Sequence, residues 1–147
     1  MNCLLSVPLR WRLATLFLAL CASLLPPPAR AVPFDAVDRA TLFSGCIGRY
    51  TAELSHAKRH GGVTHDNATD GLTARQAFYV DLLIAVDLDA RAAGYGLAAQ
   101  AMTRAETQIA HKRLLRVAQI ESDPARAAQA RQNAQRLLAV CDAMAPV

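Results

Sequence analysis

Two cysteines, Cys46 and Cys141, bracket most of this 147-residue chain with no thiol between them. If they join, the first and last elements of the fold must be neighbours, so the compartment matters, and the first 31 residues bear on it. Arg10 and Arg12 form a positive n-region, Leu13 to Leu25 an apolar run, and Ala29, Arg30 and Ala31 a small-x-small cleavage pattern. The run is about 13 residues, short of the roughly 20 that span a bilayer, and Pro26, Pro27 and Pro28 end it. Residues 1–31 therefore read as a secretory signal peptide, removed to leave Val32 first and no stable membrane anchor. Cys3 and Cys21 leave with it. The surviving pair then meets an oxidising exterior, where a disulfide is expected to form. Neither C-x-x-C nor C-x-x-C-H spacing occurs, which argues against redox catalysis and covalent haem attachment.

Composition has to be weighed on residues 32–147, read as one domain. Of 16 basic residues, Arg10, Arg12 and Arg30 fall in the leader, whereas all 12 acids lie beyond it. The mature net charge is thus about +1, and no basic cluster is interleaved with aromatics, so nucleic-acid binding is not expected. All basic residues but Lys58 and Lys112 are arginine, a bias common in GC-rich bacterial genomes. A periplasmic or secreted location follows as the expectation.

Four segments carry apolar residues at helical spacing. In the first, Ala36, Ala40, Phe43, Ile47, Tyr50, Leu54 and Ala57 recur at steps of four and three. Asp35 is placed to cap its start, with Phe34 behind it, and Lys58, Arg59 and His60 before Gly61 and Gly62 suit its end. Gly45, Gly48 and Ala52 make a second, narrow stripe. Each glycine costs about 1 kcal/mol of helix propensity against alanine, so a closely approaching helix is expected there. Residues 62–70 read as a loop, after which Thr73 and Gln76 have the form of a capping box opening a second helix with the seam Tyr79, Leu83, Val86, Ala90 and Ala93. Gly94, Tyr95 and Gly96 precede a third helix, 97–121, whose seam begins Ala98, Met102, Ala105 and Ile109 and then slips to Leu114, Val117 and Ile120. Asp123 caps a fourth, with Pro124 at its first position and Ala127, Ala130, Ala134, Leu137, Cys141 and Met144 along its stripe. The fold class is all-α: a disulfide-tied four-helix up-and-down bundle.

Few residues carry chemistry. His56 and His60 are one turn apart, so with His65 or Asp66 they could hold a divalent metal; solvated histidines beside a helix end are the simpler expectation. His111, alone on the third helix, is expected at the surface. Glu53, Glu106, Arg49 and Arg113 fall near apolar arcs and could line a polar pocket between the first and third helices; long side chains reaching water from the edge of a packed stripe are the simpler expectation. There is no G-x-S-x-G, no H-E-x-x-H and no phosphate loop, so no catalytic residue, cofactor or enzyme activity is expected. The functional expectation is a non-catalytic binding module of the bacterial envelope. Its face would be Lys112, Arg113, Leu115, Arg116 and Ile120, an apolar patch rimmed by cations and offered to another envelope protein. The rival is a periplasmic metal-handling protein using His56, His60 and His65.

Overall fold

The computed structural model describes residues 35–60 and 66–144. The leader and its cleavage site, Phe34, the Gly61–Gly62 stop and His65 lie outside the described residues. The described residues are all-helical between short turns: α1 (Ala36–His60), α2 (Asp66–Ala92), α3 (Leu97–Ile120) and α4 (Pro124–Asp142). None of them is long and apolar enough to cross a membrane.

Local chemistry sets the helix ends. Asp35 accepts the Asp38 backbone N–H at 2.7 Å, and Asp123 accepts that of Ala125 at 2.9 Å with Pro124 seated between. After α2, Gly94 takes φ +93, the Tyr95 N–H reaches back to Ala90 O at 2.8 Å, and the Gly94 N–H reaches Arg91 O at 3.0 Å. This paired closure needs a left-handed residue, and glycine supplies it without a Cβ clash. The expected loop and capping box at residues 62–76 are not what forms. The second helix is already running at Asp66, and the Thr73 hydroxyl donates to the Thr69 carbonyl one turn back at 2.8 Å. Gln76 turns away from Thr73 and donates to Thr51 on α1 at 2.7 Å. A threonine inside a helix bonds its own preceding turn as readily as it caps a start, so the motif alone does not locate the end.

Helix α1 is the centre, with α2 and α3 both packed along it and α4 lying on α3. Residues on α1 and α3 rise together, as the neighbours Gly48 and Arg104, Glu53 and His111, and His60 and Gln119 show. On its α2 side the core is apolar: Ala40, Phe43, Ile47 and Tyr50 meet Tyr79, Leu83 and Ala90. The Tyr50 and Tyr79 rings stack with centroids 5.8 Å apart, and Phe43 tilts against Tyr79 at 6.0 Å. Such pairs contribute about 1 kcal/mol beyond the area they bury.

The end of α4 is fastened at this cluster. Cys46 and Cys141 are fully buried with sulfurs 2.07 Å apart, at disulfide distance. Tyr79 OH donates to the Cys141 carbonyl at 2.5 Å, while Tyr50 OH and Arg75 both reach Asp142 Oδ1 at 2.7 Å. Arg49 lies across the sulfurs, Nη1 at 3.5 Å from Cys141 Sγ. Burial pulls its guanidinium below its ordinary pKa. Burial first, then the Asp142 carboxylate, pushes the Tyr50 phenol well above its usual range.

Helix α3 reverses the expected burial. Met102 is 63 % exposed and Ile109 51 %, while the fully buried residues are Gln100 and His111. The partner decides the face. Gly48 removes the side chain that would hold α3 away, so close that a Cβ there would lie 2.5 Å from the Arg104 carbonyl oxygen and in collision with Thr107 Oγ1. At that separation only a slim polar face fits, and Gln100, Thr103, Arg104, Thr107 and His111 provide it. Gln100 donates to Asp87 on α2 at 2.9 Å and to the Tyr95 carbonyl, closing the α2–α3 link.

Candidate binding site

Two polar features lie between α1 and α3, one buried and one open. The buried one is Glu53 with His111. The imidazole is 1 % exposed, and its Nε2–H donates to Glu53 Oε1 at 2.6 Å. Its Nδ1 has no hydrogen-bond partner, and neither does the buried Ser44 hydroxyl. His111 is thus not a surface residue, because the glycine stripe draws α3 in on the side that carries it. Glu53 takes His111 rather than Arg49 or Arg113; Arg49 covers the sulfurs, and Arg113 and Glu106 stand in solvent on the outer side of α3. Both fall with the apolar arc of that helix, and the arc itself faces outward.

The open feature is a groove of about 460 Å3 where the C-terminal ends of α1 and α3 run side by side. His56, Arg59 and His60 form one wall, and Lys112, Leu115, Arg116, Gln119 and Ile120 the other. Four of the five residues expected on the interaction face line it; Arg113 does not. A second depression of about 330 Å3 shares His56, Leu115 and Gln119 and extends to Arg131 on α4. Among the described residues no carboxylate lines either depression. Glu53, the nearest acid on α1, is engaged by His111, and Glu121 accepts the Asp123 backbone N–H at 3.3 Å. Arg59, Lys112 and Arg116 have no ion-pair partner among the described residues.

The His56 and His60 rings lie 4.7 Å apart, tilted against one another. Burial, and then the neighbouring His60, lowers the His56 pKa from its ordinary value. Gln119 Nε2 donates to His60 Nδ1 at 3.0 Å, which occupies the lone pair of that nitrogen. No group of three potential metal ligands occurs among the described residues. Sequence reasoning missed His111, although Gln100, Arg104, Thr107 and His111 carry the same four-three-four spacing as an apolar seam. Comparison with family models, with curated proteins and with solved structures finds no match for this chain.

Proposed function

We propose that this protein is an exported, non-catalytic binding module. In this reading residues 1–31 are a cleaved leader, the mature chain works in the periplasm or outside the cell, and the short α3–α4 connection belongs to an up-and-down bundle tied by Cys46 and Cys141. Another envelope protein is bound in the groove between α1 and α3. One observation carries the proposal: Lys112, Leu115, Arg116 and Ile120 gather with His56, Arg59 and His60 around one concave surface holding cations and exposed apolar carbon but, among the described residues, no acid. Concavity, an apolar floor and a polar rim are what a recognition surface requires. Crosslinking in the native periplasm followed by affinity capture tests it. A captured partner lost on Leu115→Ser with Ile120→Ser supports the reading, and capture unaffected by that pair overturns it.

The metal-handling reading draws on the His56–His60 pair alone. Titration of the metal-free mature protein with Zn²⁺ and Cu²⁺ separates the two. Affinity tighter than millimolar, abolished by His56→Ala with His60→Ala, would favour metal; anything weaker removes it.

A further inference from the structure

We infer that the groove takes an acidic, amphipathic segment of its partner, with carboxylates on side chains flanking at least one aliphatic residue. This rests on the binding-module reading and adds the chemistry of the occupant. Arg59, Lys112, Arg116 and, across the adjoining depression, Arg131 present permanent positive charge from three helices. Leu115 lies half-buried between the two depressions and Ile120 is 64 % exposed at the rim, so apolar contact is available beside the charge. Lys112 and Ile120 are eight residues apart on α3, about 12 Å, which is the reach of roughly two turns of an incoming helix.

The placement of the cations distinguishes this occupant from a compact anion. Lys112 and Arg116 stand one turn apart on α3, Arg59 faces them from α1, and Arg131 lies in the adjoining depression on α4. Carboxylates spaced along a peptide can meet such distributed cations one by one. A bilayer surface cannot enter a depression walled by two helices, whereas a helix or extended segment can.

The probe is a labelled helical peptide about four turns long with Glu along one face and Leu along the other, titrated against the mature disulfide-bonded protein by fluorescence anisotropy. Binding tighter than about 1 mM is expected, with roughly tenfold or greater loss on Lys112→Glu with Arg116→Glu and a marked fall between about 50 and 500 mM NaCl. Lys112→Gln with Arg116→Gln serves as the milder pair should reversal disturb folding, checked by circular dichroism. Arg39→Glu with Arg136→Glu, exposed cations outside both depressions, should leave affinity unchanged. The inference is overturned if the acidic peptide binds no tighter than about 1 mM, or if its Glu→Gln counterpart binds equally well. It is also overturned if inorganic phosphate or phosphatidylglycerol vesicles compete through the same cations. A native partner captured through Leu115 and Ile120 by a segment without acids would end this inference and leave the binding-module reading standing.

Discussion

The two sides of α1 hold the fold by opposite means. Toward α2 and α4 it buries Phe43, Ile47 and Tyr50 in an apolar, aromatic cluster reinforced by phenol hydrogen bonds and the Cys46–Cys141 pair. Toward α3 it buries almost no large apolar side chain, relying on Gly48, a polar face and the Glu53–His111 contact. The first side has several independent attachments, so losing one leaves others. The second depends on close approach, and a buried polar atom there that loses its partner has no other within reach while the helices stay packed.

The strongest way to break the first side is Cys46→Ala with Cys141→Ala. The closed loop spans 95 residues, and its release should lower unfolding free energy by about 4 to 5 kcal/mol in urea titrations, while helical circular dichroism in water persists. A loss below about 1 kcal/mol would mean that the tyrosines and Asp142 hold α4 alone. On the second side, His111→Ala removes the hydrogen-bond partner that Glu53 has among the described residues and opens a cavity. A cost of about 3 kcal/mol is expected, and a double-mutant cycle with Glu53→Gln should show strong coupling.

A finer contrast lies within the glycine stripe. Gly48→Ala should destabilise by about 2 kcal/mol, because the new Cβ meets backbone that cannot rotate aside. Gly45→Ala places its Cβ 3.6 Å from Arg49 and 3.7 Å from Thr107, ordinary contacts, and should be neutral or stabilising by up to about 1 kcal/mol. Thermal melts of the two variants measure the difference. Equal effects would show that α3 does not rest on Gly48.

The smallest effect is a pH response confined to the apolar side. Tyr50 and Tyr79 have pKa values raised in the folded protein, by burial first and then by Asp142. For a raised pKa the stabilising contribution is complete below the unfolded value, about 10 for tyrosine, and is lost as pH rises toward the folded one. The urea midpoint should therefore fall above about pH 10, and Tyr50→Phe should flatten that fall.

The same division marks what could be read from the chain. Along α1 the apolar stripe, the Asp35 cap and the inward cysteine were all legible, as were Tyr79, Leu83 and Ala90 on α2 and the Asp123–Pro124 start of α4. Each follows from hydrophobic spacing or a capping side chain. Helix α3 was misread because hydropathy assigns burial to Met102 and Ile109, whereas the space available beside Gly48 admits only Thr107 and its polar neighbours. The glycine stripe announced a close approach without saying which face would answer it. Four of the five expected face residues lie on one groove because the apolar slip in α3 marks the stretch that turns toward α1's cationic end. Arg59 and His56, supplied by another helix, could not be assigned to it from spacing alone.

The complete burial of both sulfurs has a consequence for biogenesis. An oxidant reaches Cys46 and Cys141 only while Arg49 and the tyrosines have not closed over them. A chain that finished packing while still reduced would have to reopen the end of α4 to acquire the crosslink, and a thiol–disulfide oxidoreductase would need the same opening to remove it.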